Sequence, residues 1–538
     1  MNVRPLFIVV VALFLQAGPS PGARWWSHIE FLAADALEGR EVGTPGFDKA
    51  AAYVESQFND IGLKPGGQSG FRQPVKFESR LAVPEQSSLA LVRDGQEEPL
   101  TLGEDASLSA RSEAEGAVNA SMVFIGYGLS VPEANWDELA GLDLRGKIAV
   151  YVNAAAPIEV SDSVRSHVSA SAERWAVLKK AGAIGIATLP NPRPPAATTP
   201  NPAPQGRGAA GSGRGAAPAP QPVVMLADPD LRDQAGQMIS VTITRRGADK
   251  FLAGSGHTLA ELDQLVAEKK PMPRFPLAAT LRAQVASKRS TIDSANIIGI
   301  YEGTDPQLKG EYVVMSAHLD HVGIGRAVGG DSIYNGAMDD ASGVASVIEI
   351  ARLLKESRAR TKRSIIFMTQ TGEEEGLLGS KYFTARPTVP FESIVADINL
   401  DMFLPLYPLK VIEVQGLTES SLGQTVRAAA AELGVEVQTD REPEQNRFIR
   451  SDQYSFIRSG IPSLAFKFGY EFGSPEEKIR RDWVRDVYHK PNDDLKQPVN
   501  LEAAALFNRV IMGLLQRVAN DPARPTWNEA SFFKRFAK

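Results

Sequence analysis

The sequence has 538 residues, of which 43% are hydrophobic and 23% charged, as in soluble globular proteins with more than one domain. Its formal net charge of -6 and the lack of a long Lys/Arg run exclude a basic surface for phosphate backbones, so nucleic acid is not an expected partner. The chain has no Cys, which excludes disulfides and thiolate metal sites, so a bound metal would need His and carboxylate ligands.

The first residues have the pattern of a secretory signal peptide. A positive charge in "MNVR" precedes the short apolar run "PLFIVVVALFLQ", and the small residues and turn formers of "AGPSPGA" follow. The apolar run is too short for a comfortable transmembrane span, although an uncleaved anchor is the alternative. The pattern predicts a signal peptide over residues 1–23, export to the periplasm or the extracellular space, and no stable membrane span after its removal.

Two amphipathic helices are predicted next. "WWSHIEFLAADALEG" and "TPGFDKAAAYVESQFNDIGL" carry apolar residues three and four positions apart and have Gly near their ends. The turn "GREVGTPG" joins them, and no chemistry is assigned to it. Residues 24–114 are therefore predicted to be a helical N-terminal part of the main domain.

A second unit is predicted over residues 115–275. The runs "SMVFIGYGL", "KIAVYVN", "SAERWAVLKKAGA" and "IGIATL" read as strand, strand, helix and strand, which make a small β-rich α/β domain. Residues 190–222 are rich in Pro, Gly and Ala and contain almost no large apolar side chain, so a mobile or disordered surface loop is expected there. "VVMLADPDL" and "ISVTITR" then resume strand patterns, and "KKPMPRFPL" marks the boundary.

Residues 276–538 alternate between strand and helix patterns. The strand candidates "EYVVMSA", "SIIFMTQ", "SIVADINL" and "IPSLAFKF" are continuous apolar runs, which is typical of strands covered on both faces. Helical patterns such as "SGVASVIEIARLLKES" lie between them. The predicted fold is therefore an α/β three-layer sandwich with a mostly parallel central sheet, and ligands of such sheets bind at the carboxyl ends of the strands.

Polar side chains follow these predicted strands where each strand ends. Carboxylates held close together need compensating positive charge, which a divalent cation supplies most directly. Imidazole and carboxylate ligands without thiolate suit zinc in an open catalytic site, although Mn²⁺ and Co²⁺ suit the same ligands. Each fragment alone is weak, since "DD" before a helix is also a common N-cap. The candidate groups are His318, Asp320, His321, Asp339, Asp340, Glu373, Glu374, Glu375, Asp401, Tyr488 and His489.

The motifs together resemble a known family. "SAHLDHVG", "NGAMDDASG", "TGEEEGLLGS", "NLDM", "SDQYSF" and "YHKPNDD" are similar to the successive motifs of the co-catalytic dizinc aminopeptidases of clan MH, which also includes glutamate carboxypeptidases. The resemblance extends over the N-terminal helical segment and residues 280–510. The region 115–275 resembles an inserted protease-associated domain, which would cover the cleft or restrict substrate size.

The resemblance implies a two-zinc site and a peptide substrate. Glu373 matches the general base of the family, and Glu375 is expected to have no direct role. The zinc ligands carried over by motif are His318 and Asp401 on one ion, Glu374 and His489 on the other, and Asp339 between the two.

Supporting roles are expected for other residues of these motifs. Asp320 is expected to accept the second N–H of His318 and so fix its tautomer, as metal-bound histidines usually require. Tyr488 is expected either to donate a hydrogen bond to the developing oxyanion or to pack in the core. Arg450 is expected to contact the substrate carbonyl, and Asp452 to support the second zinc site or the substrate.

Three further residues of the motifs carry weaker expectations. His321 is expected to be a bystander, and Asp340 an N-cap or an outer group of the site. The family often has His where this chain has Gln453, which cannot titrate near neutral pH, so a proton-linked role at that position is in doubt.

The leading hypothesis is an exported zinc aminopeptidase that removes N-terminal residues from peptides. A carboxypeptidase of the same fold is the first alternative, and Arg447, Arg450 or Lys467 would bind the terminal carboxylate of its substrate. A glutaminyl cyclase typically uses one zinc ion, and a binding protein built on this fold usually lacks ligands. The complete ligand set favours the aminopeptidase over both of these.

Overall fold

The computed structural model describes residues 19–114, 116–191 and 221–537. Most of the predicted signal peptide and most of the predicted loop 190–222 therefore lie outside the described residues. The helices are α1 (Pro21–Leu32), α2 (Pro45–Ile61), α3 (Asp162–Ser169), α4 (Ser171–Lys180), α5 (Arg245–Leu252), α6 (Leu259–Ala267), α7 (Ser342–Glu356), α8 (Leu378–Ala385), α9 (Leu422–Ala431), α10 (Gln453–Arg458), α11 (Pro475–Asp486) and α12 (Leu501–Asn520). Across these described ranges, no helix has both the length and the apolar character needed to cross a bilayer.

The strands divide between two large sheets and two small hairpins. They are β1 (Lys64–Pro65), β2 (Arg72–Ala82), β3 (Ser88–Arg93), β4 (Gln96–Pro99), β5 (Ala106–Leu108), β6 (Val118–Phe124), β7 (Ser130–Val131), β8 (Trp136–Asp137), β9 (Ile148–Val152), β10 (Gly185–Leu189), β11 (Val223–Leu226), β12 (Ile239–Ile243), β13 (Phe275–Gln284), β14 (Ser287–Tyr301), β15 (Tyr312–His318), β16 (Gly323–Val328), β17 (Asp331–Tyr334), β18 (Ser364–Gln370), β19 (Ile394–Asn399), β20 (Val411–Gln415), β21 (Glu436–Thr439) and β22 (Ser463–Phe468).

The central sheet has the strand order β11-β2-β14-β18-β15-β19-β22-β20-β21, and β1 pairs with β14. The neighbours β18, β15, β19 and β22 run parallel to one another. Antiparallel pairs lie on either side of them, between β14 and β18 and between β20 and β22. The parallel strands place their carboxyl ends at one edge of the sheet, where the site is found.

Helices cover both faces of the central sheet. Alternate residues of a strand point to opposite faces, so Val313 and Met315 of β15 join the core that includes α1, α2, α7 and α12. Val314 faces the other way and joins a smaller cluster with Phe383 of α8 and Phe456 of α10. This is the three-layer arrangement that the continuous apolar runs predict.

The first helices begin and end at residues with clear local signals. The Thr44 side chain accepts a hydrogen bond from the N–H of Phe47, and Pro45 occupies the first turn of α2. Gly62 ends α2 in the left-handed conformation, with φ of 78°. The turn between the two helices also holds a 3-10 segment, Asp35–Arg40, whose last residue contributes to the site described below.

The second sheet has the order β4-β3-β13-β6-β9-β10-β12-β5. Its strands extend from Ser88 to Gln284, beyond both ends of the predicted unit at residues 115–275. Part of the segment 24–114, predicted as helical, is therefore extended. One strand inside the predicted unit, β11, belongs instead to the central sheet through antiparallel pairing with β2.

The second unit contacts the main domain beside the site. Nδ1 of His167 in α3 lies 2.7 Å from the Tyr454 hydroxyl in α10. A salt bridge of 2.8 Å joins Glu173 of α4 to Arg458 of α10. These contacts fix α3 and α4 over the carboxyl edge of the central sheet and create a cleft there.

Candidate metal centre

Three neighbouring parallel strands bring the predicted ligands together. His318 is the last residue of β15, Glu374 follows β18, and Asp401 follows β19. Because β15 pairs in parallel with both β18 and β19, these three positions meet at the same sheet edge. Asp339 comes from the short helical segment before α7, and His489 from the loop after α11.

One group of potential ligands consists of His318, Asp339 and Asp401, whose ligand atoms lie within 4.8 Å of one another. Nε2 of His318 is 3.1 Å from Oδ1 of Asp339. Nδ1 of His318 donates to the main-chain oxygen of Asp320 at 2.9 Å, which leaves Nε2 available for an ion. The structure thus brings together the three residues predicted for the first ion.

A second group consists of Asp339, Glu374, His489 and His321. Nε2 of His489 lies 3.1 Å from Oδ2 of Asp339 and 3.3 Å from Oε2 of Glu374. His321, predicted to be a bystander, is buried with Nδ1 only 2.7 Å from Oε1 of Glu374. The available sequence signal for His321 was its position three residues after a predicted ligand.

The site has the electrostatics of an anionic cluster that requires positive charge. Burial lowers the pKa of His318, but the charges of Glu373 and Asp339 outweigh burial and raise that pKa well above its usual value. The pKa of His489 is raised in the same way, with Glu374 as the main opposing charge to burial. Burial favours protonated Asp339, yet the neighbouring histidines hold its pKa well below the ordinary range.

The residues fit a pair of divalent cations. Oδ2 of Asp339, Oε1 of Glu374 and Oδ1 of Asp401 are buried, and their close neighbours are themselves candidate ligands or the Lys467 ammonium rather than dedicated hydrogen-bond donors. Buried polar atoms are normally paired, so their concentration here is expected of metal ligands. Asp339 belongs to both groups and is therefore placed to bridge two ions, and imidazole with carboxylate suits zinc.

Glu373 lies beside these groups and faces open space. It lines both of the clefts described below. Burial raises the pKa of Glu373 well above its usual value, and the charges of Glu374, Asp452 and Asp401 add to that rise. A carboxyl group with this environment, next to the candidate ligands but not among them, is suited to proton transfer.

The other two residues of the Glu run differ in position. Glu374 points into the second ligand group, as predicted. Glu375 is buried, and its charge opposes the burial that lowers the pKa of Arg111. Glu375 thus interacts electrostatically with a basic side chain and belongs to neither ligand group.

Asp320 supports the site differently from the prediction. The acceptor for His318 is the main-chain oxygen of Asp320, not its carboxylate. The Asp320 carboxylate instead accepts the main-chain N–H groups of Glu373 and Glu374 at 3.2 and 3.3 Å. The residue therefore fixes the backbone of the general-base candidate and its neighbour, because the turn after β15 directs the carboxylate toward β18.

Two further carboxylates hold the loop that carries Asp339. Oδ1 of Asp340 accepts the N–H of Gly343 at 2.9 Å, in the first turn of α7, and that of Met402 at 3.2 Å. Asp340 is thus an outer group of the site that bonds to the first turn of α7, whereas the N-cap residue of α7 is Ala341. Asp493 is fully buried and accepts the N–H groups of Met338 and Asp339. Asp493 was not among the residues predicted from the sequence, where its only signal is an acidic side chain shortly after His489.

Arg40 is a second residue that sequence analysis missed. Its buried guanidinium donates to main-chain oxygens of Leu32, Asn335, Gly336 and Leu319 at 2.6 to 3.0 Å. These acceptors lie in α1 and in the two loops that carry the ligands. Burial lowers the pKa of Arg40 to about 10, so it stays charged near the acidic cluster.

The remaining predicted residues lie at different depths. Tyr488 stacks on His489 with ring centroids 3.9 Å apart and lines both clefts. Arg450 also lines both clefts, as a residue that contacts substrate would. Asp452 is fully buried and does not line either cleft, so it is not placed to contact substrate.

Gln453 is buried, and its side-chain amide links two parts of the structure. It accepts a hydrogen bond from Asn399 and donates to the main-chain oxygens of residues 447 and 448.

Two clefts open onto the centre. The smaller, about 680 Å³, is here named the basic pocket; beside the candidate ligands, its lining includes Gln415, Arg447, Arg450 and Lys467. The larger, about 1110 Å³, is named the interdomain cleft, because α4 of the second unit and the region of α8 and α10 in the main domain line it. The two share Glu373, Arg450, Tyr488 and His489. A substrate extending from one cleft into the other would pass the general-base candidate.

Known proteins match this chain in sequence and in fold. Residues 296–515 match the model of peptidase family M28. Aminopeptidase NAALADL1 of Mus musculus is 34% identical over 139 residues, which cover 25% of this chain and 17% of that protein. The probable leucine aminopeptidase 2 of Aspergillus oryzae is 27% identical over 268 residues, which cover 47% of this chain and 51% of that protein. The chain spans about half, or less, of the length of these curated relatives.

The fold is also found in a solved structure. The aminopeptidase from Aneurinibacillus sp. strain AM-1 superposes with a TM-score of 0.51 and 20% sequence identity, covering 94% of this chain and 95% of that one. At this identity the likeness concerns the fold. It confirms the predicted α/β class with a mostly parallel central sheet and a second, β-rich unit.

Proposed function

This chain belongs to peptidase family M28 through residues 296–515, as its motifs predict, and from this premise we propose that it is a zinc-dependent aminopeptidase. The observation that carries the proposal is the position of Asp339, which belongs to both groups of potential ligands. Glu373 lies beside them and faces both clefts. Ligands, a shared carboxylate and a proton-transfer group are thus present at one point.

Two zinc ions are proposed per chain. His318 and Asp401 would hold one and Glu374 and His489 the other, with Asp339 between them. His321 is close enough to the second group to be an additional ligand. Such a metal pair supplies Lewis acidity, which lowers the pKa of water and stabilises negative charge developing on a carbonyl oxygen.

The chain's own residues would carry the proton and position the substrate. Glu373 would take a proton from the attacking water and later return it to the leaving nitrogen. Tyr488 faces the same space and is placed to donate to the oxygen of the scissile carbonyl. Asp320 holds the main chain of Glu373, so it acts as a positioning residue.

The two clefts suggest how a peptide is oriented. An aminopeptidase has one residue before the scissile bond and a chain of variable length after it. The basic pocket, about 680 Å³, would hold the N-terminal side chain, and the interdomain cleft, about 1110 Å³, the rest of the peptide. The second unit would then contribute to substrate binding through α4.

Export is proposed from the first residues of the chain. A basic start, a short apolar run and small residues after it have the pattern of a signal peptide. Comparing the N-terminal sequence and location of the protein after expression in a bacterium with those of a variant lacking residues 1–23 would test this. A protein that keeps its first residues and stays in the cytoplasm would contradict export.

The activity is tested with the purified full chain and a panel of aminoacyl p-nitroanilides, each with a free and an N-acetylated amine. We expect hydrolysis of the free substrates, loss of hydrolysis after dialysis against chelator, and recovery with zinc. Equal cleavage of N-acetylated substrates would contradict an aminopeptidase. Cleavage of blocked peptides at the C-terminal residue would identify the carboxypeptidase alternative, for which Arg450 offers a cation at the site.

A further inference from the structure

The basic pocket has an excess of positive charge among the side chains that are not candidate metal ligands. Four of its arginines are paired with acidic side chains, so their charges are locally balanced. These pairs are Arg447 with Glu442 at 2.8 Å, Arg480 with Glu413 at 3.0 Å, Arg481 with Glu477 at 2.9 Å and Arg485 with Asp482 at 2.8 Å. Glu444 also lines the pocket, so the two remaining cations, Lys467 and Arg450, leave an excess of one positive charge.

Lys467 is a buried cation that lines the pocket and is only 7% exposed. Its Nζ donates to the main-chain oxygen of Asp401 and lies 3.7 Å from Oδ1 of the same residue. Asp401 belongs to the first group of potential metal ligands. With that carboxylate committed to an ion, the charge of Lys467 requires another partner.

Arg450 has no acidic partner within the described ranges of the chain. Its Nη1 donates to the main-chain oxygen of Gln445 at 3.2 Å. The side chain stands where the pocket meets the interdomain cleft. Arg450 and Lys467 thus provide two cations that face the pocket without a dedicated counter-ion.

Two further donors in the pocket lack acceptors. Gln415, at the end of β20, is 2% exposed, and its Nε2 makes no hydrogen bond. Nη1 of Arg447 is also buried without a hydrogen bond and lies 3.9 Å from Oδ1 of Asp440. Buried donors without partners are costly, so each is expected to reach an acceptor by a small side-chain adjustment, and both residues line the basic pocket.

We propose that the basic pocket binds an acidic side chain, so that the preferred substrates are peptides that begin with Glu or Asp. The inference rests on the proposed aminopeptidase function and adds its substrate class. A carboxylate accepts several hydrogen bonds and carries the charge that Lys467 and Arg450 lack, and it also offers an acceptor to Gln415. A leucine side chain would leave these donors unpaired, and a lysine side chain would meet like charge.

The first test compares kcat/KM for the p-nitroanilides of Glu, Asp, Gln, Leu and Lys on the zinc-loaded full chain. A site built to bind polar groups rejects analogues that lack them, so Glu or Asp should exceed Leu by at least about 10-fold. A value for Leu or Lys equal to or above that for Glu and Asp would overturn the inference.

The second test asks whether single substitutions reduce the preference for Glu over Leu substrates. Gln415→Leu removes a donor that does not contact the candidate ligands, and Lys467→Met removes a charge. Each should lower the ratio of kcat/KM for the Glu substrate to that for the Leu substrate by about 10-fold or more. Zinc content is measured in both variants, because Lys467 contacts Asp401. A ratio within about twofold of the parent in both variants would overturn the inference.

The matched control is Lys478→Gln, which removes a charge that is also paired with Asp482 but lies outside the pocket. Its ratio of Glu to Leu hydrolysis should equal that of the parent. The failures of the two proposals are distinguishable. Hydrolysis of Leu in preference to Glu overturns only the substrate class, whereas cleavage of N-acetylated peptides that end in Glu overturns the aminopeptidase function as well, since the pocket then binds a C-terminal residue.

Discussion

The carboxylate of Asp493 accepts a hydrogen bond of 3.0 Å from the main-chain N–H of Asp339, the residue shared by both ligand groups. Asp493 lies four residues after His489, so one loop supplies a potential ligand and also holds the segment that supplies another. Replacement by Asn would put an amide donor near two N–H groups. We expect Asp493→Asn to weaken zinc binding by about 10- to 100-fold, measured by competition with a chromophoric chelator.

The control for that substitution is Asp494→Asn. Asp494 is the next residue, and its carboxylate bonds to Lys496 instead of the site. It should leave zinc affinity unchanged. Equal weakening in both variants would show that the effect comes from the loop in general.

Glu373 and Glu374 are adjacent in sequence and should respond differently to the same change. Glu373→Gln should lower kcat by about 100- to 10,000-fold, the range for loss of a general acid–base group, while both ions stay bound. Glu374→Gln should lower the zinc content, because it removes a ligand oxygen of the second group. Metal analysis after gel filtration separates the two outcomes. Loss of zinc in Glu373→Gln would argue against its role in proton transfer.

Arg40 joins α1 to the two ligand-bearing loops through main-chain oxygens. In Arg40→Met, buried carbonyl groups lose their donors, at a cost of about 1–3 kcal/mol each. We therefore expect the free energy of unfolding to fall by at least about 3 kcal/mol, measured by urea titration of the metal-free protein.

Arg72→Met provides the comparison for Arg40. Arg72 pairs with Glu55 at the partly exposed surface, where an ion pair contributes about 1 kcal/mol or less. A similar loss of stability in the two variants would contradict the structural role assigned to Arg40.

The stability of the metal-free protein should fall as pH rises from 6.5 to 8. Burial is the first cause that raises the pKa of Asp452 and of Asp493 to about 7. The pKa values of His318 and His489 are raised because neighbouring carboxylates outweigh burial. In the unfolded chain the two aspartates have lost their protons well below pH 6.5 and the two histidines lose theirs at about pH 6.5, so in this window the folded state holds more protons and stability decreases with pH.

Other histidines do not reverse this slope. Burial lowers the pKa of His28 and of His167 to about 4, so in this window each opposes the slope only through the roughly half proton that its unfolded form, with a pKa of about 6.5, still carries at pH 6.5. Because zinc displaces protons from its ligands, the increase in Tm on adding zinc should be larger at pH 8 than at pH 6.5. Calorimetry with and without zinc at pH 6.5 and pH 8 measures the increase in Tm at each pH. Equal increases at the two pH values would contradict the prediction.

The sequence was most informative where a ligand immediately follows a strand. His318, Glu374 and Asp401 each come after a continuous apolar run, and parallel pairing brings the ends of such runs together. The continuous apolar runs that predict strands were therefore enough to predict where these three ligands lie. Asp339 and His489 lie in loops, where no periodic pattern exists, and the resemblance of whole motifs was needed to identify them.

The supporting residues were harder to predict because their roles depend on side-chain direction. His321 and Asp320 are neighbours, yet the imidazole reaches Glu374 while the carboxylate reaches the main chain of Glu373. Arg40 lies about 280 residues before the nearest loop that it holds, at a turn to which no chemistry was assigned. Local sequence does not specify such long-range contacts of main-chain atoms.

The strand β11 has a consequence for how this protein can be divided. It lies in the chain between two strands of the second sheet, yet it pairs with β2 at the edge of the central sheet. Deleting residues 115–275 would therefore remove the wall of the interdomain cleft and also expose the unpaired main chain of β2, a template for aggregation. The two units therefore cannot be exchanged between proteins as separate modules. A second unit of any other length must still let β11 pair with β2 of the central sheet.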